Sequence, residues 1–143
     1  MKQEVVQTGE GIEYKWSSDH IFVKSVGSLA EGRVSMVEDT MNPGFHLARH
    51  HHKKMTEIFY ILEGEITLIF DDETVVASAG TTINIPPNVW HEAKSENGAK
   101  MLSIFSPAGF EDYLAKMKTL SDDQFADAAF MQALNEQYDI WNE

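Results

Sequence analysis

A chain of 143 residues with 43% hydrophobic and 24% charged residues is most simply one globular domain with its own buried core. A net charge of −12, with Arg33 and Arg49 as the only arginines, excludes a phosphate-tracking surface and with it nucleic acid as a partner. The absence of cysteine excludes disulfides and thiol chemistry, and no apolar stretch has signal-peptide or membrane-span length, so a cytoplasmic protein is expected.

From His20 to about Ser106 the chain reads as short strands between turn residues. HIFVKSVG (20–27) and RVSMVE (33–38) are rich in β-branched residues and flank the Gly-containing SLAEG. EIFYIL (57–62) and EITLIF (65–70) are expected to form a hairpin through Glu63-Gly64, with Ile66, Leu68 and Phe70 on one face. Asp71-Asp72-Glu73 turns the chain into TVVA, Ser78-Ala79-Gly80 turns it into TTINI, and KMLSIF (100–105) is the last strand. Many short strands at this spacing point to an all-β sandwich or barrel.

Beyond residue 107 the period changes. Phe110, Tyr113, Leu114 and Met117 form one helical stripe, with Pro107 ahead of it as a boundary. Ser121 and Gln124 have capping-box spacing, and Phe130, Leu134, Tyr138 and Trp141 are expected to continue the apolar face of a second helix. About 35 residues make a poor independent core. Residues 1–107 therefore read as the β-domain with its N-terminal strands, and 108–143 as a helical extension of the same domain.

Residues 48–57, ARHHHKKMTE, hold half of the six histidines. In an extended segment side chains alternate, so His50 and His52 share a face while His51 and Arg49 point the other way. A turn through Lys53–Thr56 brings Glu57 toward the same point, and His91 opens a strand after the NIPPNVW turn. Three imidazole nitrogens and one carboxylate suit one divalent transition ion, whether Fe, Mn, Ni, Cu or Zn. His51 is expected to be solvated or to support the ligands from behind, and Lys53 and Lys54 are expected to be turn charges. His46 shares the sequence parity of His50 and is a candidate for the cavity mouth. Phe59, Ile61, Ile85 and Met101 are candidates for the substrate pocket or for plain core.

The stretch Gly44-x5-His50-x-His52-x4-Glu57-x6-Gly64 resembles the first motif of the cupin superfamily at every defined position. Gly80-x5-Pro86-x-Asn88-x2-His91-x3-Ser95 resembles the second, with Asn88 in place of Gly and Ser95 in place of Asn. Pro86-Pro87-Asn88-Val89 reads as a type II turn that requires positive φ at Asn88, a conformation Asn tolerates. The motif core spans residues 44–95. The resemblance implies a double-stranded β-helix (jelly roll) and a metal bound by His50, His52, Glu57 and His91. Glu57 would be both ligand and possible general base, and the protein a homodimer built through N-terminal strands, Trp16 or Trp90.

The pattern, including SPAGFEDYLAKM, is similar to cupins of the quercetin-dioxygenase-like kind. It implies a metal-dependent oxidoreductase acting on a small organic substrate, with aromatic molecules among the candidates. The alternatives are a metal-dependent isomerase or epimerase of a sugar or keto acid, and a non-catalytic small-molecule-binding cupin.

Overall fold

The computed structural model describes residues 2–143. Ten strands and three short α-helices follow in chain order. The strands are β1 (Ile12–Lys15), β2 (Asp19–Ser25), β3 (Ser35–Met41), β4 (Phe45–His51), β5 (Thr56–Phe70), β6 (Thr74–Ser78), β7 (Thr82–Ile85), β8 (His91–Ser95), β9 (Ala99–Ser106) and β10 (Trp141–Asn142). The helices are α1 (Phe110–Met117), α2 (Asp122–Ala126) and α3 (Ala128–Gln137), all before β10.

All pairings are antiparallel. One sheet runs β1-β2-β3-β9-β5-β7 and the other β6-β5-β8-β4-β10, with β5 belonging to both. This is an all-β jelly roll with C-terminal helices packed on it.

The expected hairpin at Glu63-Gly64 is instead the middle of one 15-residue strand. Pairing with β9 slips between Ile61 and Glu63, and Gly64 sits at φ +75°. A Gly inside a strand-like run is consistent with either a turn or a bulge. Here the bulge is favoured because each half of β5 has its own strands on both sides, β7 and β9 before it, β6 and β8 after it. The bulge also reverses side-chain parity. Phe59 and Ile61 are buried ahead of it, Ile66 and Leu68 beyond it, so both halves face one core although they lie in different sheets.

The helical end departs from expectation in two places. Ser121 does form a capping box with Gln124, but the second helix stops at Asp127, whose carboxylate caps the Phe130 N–H of α3 at 3.1 Å. Asp competes for backbone N–H groups better than it propagates a helix, so the segment divides there. Trp141 is not on a helix. The chain turns at Asp139 (φ +63°), and Trp141 pairs with His51 as part of β10. Leu134 and Ile140 bury against Tyr113 of α1, while Phe110 and Met117 also reach the cluster of Val37 and Phe105 inside the barrel.

A Cβ at Gly64 would lie 2.5 Å from the Gly98 carbonyl oxygen and 2.9 Å from Ala99 Cα. Gly64→Val therefore adds both overpacking and a left-handed β-branched residue, and a loss of about 2 kcal/mol or more is expected in urea unfolding. An unchanged midpoint would show that the two sheets do not depend on this close approach.

Candidate metal centre

His50, His52, Glu57 and His91 come from three strands and the turn between two of them, yet one ligand atom from each lies within 4.8 Å of all the others. A second bulge produces the convergence. Pairing of β4 with β8 slips between Leu47 and His50, which sets His50 directly opposite His91. Simple alternation from Phe45 and Leu47 would have turned Arg49 inward; the slip turns His50 inward instead. Glu57 enters from the start of β5. His52 reaches the cluster from just past β4, in the turn whose carbonyl accepts the Asn88 N–H at 2.6 Å. Asn88 itself has φ +68°, the conformation expected for the Pro86–Val89 turn. Ser95 is buried and donates to the Glu65 carbonyl at 2.8 Å, remote from the ligand role.

The four residues are 0–5% exposed. Each imidazole has its Nδ1 against a main-chain carbonyl: His50 on Ala48 at 2.8 Å, His52 on Asp139 at 2.7 Å, His91 on Val89 at 2.9 Å. A carbonyl only accepts, so Nδ1 carries the proton in all three rings and Nε2 faces the cluster. His52 Nε2, His91 Nε2 and Glu57 Oε1 are buried without a hydrogen-bond partner, although the carboxylate oxygen is 3.6 Å from the first and 3.3 Å from the second. Lone pairs facing a carboxylate repel each other unless a cation lies between them. Without a metal, a proton is the available cation. Burial works against charge on both groups, but the Glu57 contact raises His52, and His52 and His91 together hold Glu57 down at about 2. The donor set, the orphaned atoms and the need for a cation all fit a transition metal ion.

One supporting residue was not legible in the sequence. Asp139, 87 positions from His52, gives its carbonyl to the His52 ring and its carboxylate to the Lys53, Lys54 and Met55 N–H groups at 2.8–2.9 Å. It thus fixes both the tautomer of a ligand and the turn carrying it. No local pattern marks such a contact; only the return of β10 to β4 creates it.

The remaining candidates divide. His46, Phe59 and Met101 line a cavity of about 460 Å³ that also reaches His50, His52 and Glu57. His46 is half exposed and engages Glu92, because the β4 bulge breaks the parity it shares with His50 in sequence. Ile61 and Ile85 do not line the cavity; both are buried in the core behind it. His51 is half-buried, not solvated, with its ring 4.2 Å from that of Trp90. Arg49 lies over the same Trp90 ring and pairs with Asp71, away from the cluster. Lys53 and Lys54 are exposed turn residues.

Burial, followed by the neighbouring His91, holds His50 down to about 4. In metal-free protein the unfolded state therefore binds the His50 proton first, and this part of stability falls as pH drops from about 6.5 to about 4. Glu57 adds a part that is complete above about 4.5 and lost as pH falls toward 2. His52 acts in the opposite sense, its contribution being lost as pH rises through its raised pKa. Urea unfolding of chelated protein from pH 7 to 4 is expected to show acid weakening that His50→Gln flattens above pH 4.5. An equal slope in that variant would contradict the assignment.

Residues 37–105 match the family described as Cupin domain. Over 119 residues the chain is 25% identical to quercetin 2,3-dioxygenase of Bacillus subtilis (strain 168), covering 82% of this chain. That alignment takes in 34% of the relative, so the chain spans about a third of its length. Among solved structures, KdgF from Halomonas sp. superposes with a TM-score of 0.68 at 15% identity, over 76% of this chain and 99% of that one. An RmlC-like cupin from Shewanella frigidimarina NCIMB 400 gives 0.66 at 21% identity, over 77% and 96%. These two likenesses are of fold. The jelly roll, the motif residues and the family match agree that residues 37–105 carry a cupin domain.

Proposed function

We propose that the protein is a metal-dependent oxidoreductase of the dioxygenase kind, acting on a small, flat organic molecule. His50, His52, Glu57 and His91 would hold one divalent transition ion drawn from Fe, Mn, Ni, Cu and Zn. The observation that carries the reading is that this His₃–Glu cluster meets a cavity of about 460 Å³ with several aromatic side chains in its wall. When bound, the ion would supply a Lewis-acid and redox centre with open coordination positions.

The chain's own residues do the rest. Carbonyls of Ala48, Val89 and Asp139 keep the three Nε2 atoms free for ligation. Glu57 contributes a single negative charge. Held at about 2 it is a weak proton acceptor, so the ligand role is favoured over that of general base. Phe45, Phe59, Phe105 and Phe110 supply aromatic walls that exclude water and suit an aromatic substrate. The Bacillus subtilis relative, a quercetin 2,3-dioxygenase by name, supports oxidation as the chemistry. An isomerase of phosphorylated sugars is less well supported, because neither Lys nor Arg lines the cavity among the described residues.

We further infer a small-molecule enzyme without nucleic-acid or membrane partners, cytoplasmic, and a homodimer. No helix among the described residues is long and apolar enough to cross a membrane. Strand β1 ends one sheet with its outer edge unpaired and Ile12 half exposed, which suits pairing with a second copy. Light scattering after gel filtration tests this, and the mass of one chain would exclude the dimer.

Protein purified without chelators is expected to hold at least about 0.5 equivalent of a divalent transition metal, and His50→Ala or His91→Ala below about 0.2. Full metal content in both variants would reject the ligand set. Asp139→Ala is expected to weaken metal binding about tenfold or more, with Asp139→Asn milder because Asn tolerates the left-handed backbone. Fe-, Mn- and Ni-loaded protein should take up oxygen with catechols, flavonols or diketones; no uptake by any loaded form would leave an isomerase or a binding cupin.

A further inference from the structure

The cavity has a second polar pole. Asp19 at the start of β2 and Asp39 in β3 both line it, at 8% and 7% exposure. On the inward face of β3, Asp39 stands between the apolar Val37 and Met41. Asp19 has one hydrogen-bond donor, Ser18 Oγ at 2.9 Å, while Asp39 Oδ1 is buried with no partner. With no Lys or Arg along the cavity among the described residues, two buried carboxyl groups there cannot be explained by an ion pair. Apolar side chains would be more favourable for stability alone.

The pair is remote from the metal-type cluster. Glu57 lies opposite Phe105 of β9, and Asp39 lies opposite Met101, four residues along the same strand and on its other side. At the usual strand rise and spacing, that places the backbones of the two poles on the order of 16 Å apart. Between them along β9, Ser103 lies opposite Phe59 of β5 and Val37 of β3, all three lining the cavity.

We propose that Asp19 and Asp39 form a specificity-determining carboxyl pair that receives a neutral hydroxyl group at the end of the substrate farthest from His50, His52, Glu57 and His91. The inference rests on the metal-centre reading for the orientation of the substrate. Burial, followed by the adjacent Asp19, holds the Asp39 carboxyl far above the usual carboxylate range. Asp39 is thus held as a neutral acid that can donate a hydrogen bond. A hydroxyl satisfies both members, accepting from the Asp39 carboxyl and donating to a carboxyl oxygen of Asp19. A carboxylate at that end would lie against two carboxyl groups with no compensating cation. The substrate class is therefore a flat, apolar molecule with an anionic or chelating oxygen at one end and an uncharged hydroxyl at the other.

Two naphthalene probes separate the possibilities, titrated by calorimetry into Zn-loaded protein. In 6-hydroxy-2-naphthoate the carboxylate can go to the metal end and the hydroxyl to the aspartates; in naphthalene-2,6-dicarboxylate one carboxylate must face them. The wild type is expected to prefer the hydroxy acid by at least about tenfold. In Asp39→Asn, and separately in Asp19→Asn, the preference should fall to about threefold or less. Circular dichroism melting and bound zinc confirm that each variant is folded and loaded, and the second variant decides if the first does not fold. An unchanged preference in a folded variant, or no binding of either probe by loaded wild type, overturns the proposal. Failure of the underlying reading has its own signature, namely protein that does not retain zinc at all.

Discussion

The carboxylate of Glu57 is buried among three imidazoles, and a buried charge is tolerated only with a counter-charge. Much of the interior follows from that requirement. Three Nδ1–H groups are committed to backbone carbonyls, so the nitrogens facing Glu57 offer lone pairs, and only a cation reconciles them with it. A proton meets the requirement one ring at a time. A metal ion meets it for all four groups at once. The site is in this sense incomplete by construction, and its incompleteness is what makes it a receptor for a cation.

Two irregularities in the strands bring the charged groups together and keep the wall around them apolar. The slip in β4 turns His50 toward His91, and the bulge at Gly64 lets β5 serve both sheets with its buried residues facing one core. In a regular strand, alternation from Phe45 and Leu47 would have turned Arg49 inward and His50 outward. Arg49 instead lies outside on Trp90. The C-terminal turn then closes the metal end, with Asp139 clamping the segment between β4 and β5. A helical extension that looked peripheral in sequence therefore carries part of the site's geometry.

The cavity joins two kinds of polarity. At one end is a cluster that demands a cation. At the other is a carboxyl pair without one, and Val37, Phe59 and Ser103 line the wall between them. Recognition by such a slot depends on the substrate having different groups at its two ends, which fixes its direction as well as its shape.

Much was legible in the sequence because it is local. The i, i+2 spacing of His50 and His52, the positive φ required at Asn88, the stripe of α1 and the Ser121 capping box each depend on a few neighbouring residues, and each is present in the fold. The cupin motifs extended that reach to His91. What tertiary structure alone decided is everything that depends on partners distant in sequence. Glu63-Gly64 is a bulge because strands flank both halves of β5; Trp141 is in a strand because β4 offers an edge; Ile61 and Ile85 fill the core because the cavity passes in front of them. His52 takes its tautomer from a carbonyl 87 residues away, and Asp19 meets Asp39 across two strands. A sequence specifies local backbone preferences and side-chain parity, but a one-residue slip reverses parity, and slips are set by which strands come to lie alongside.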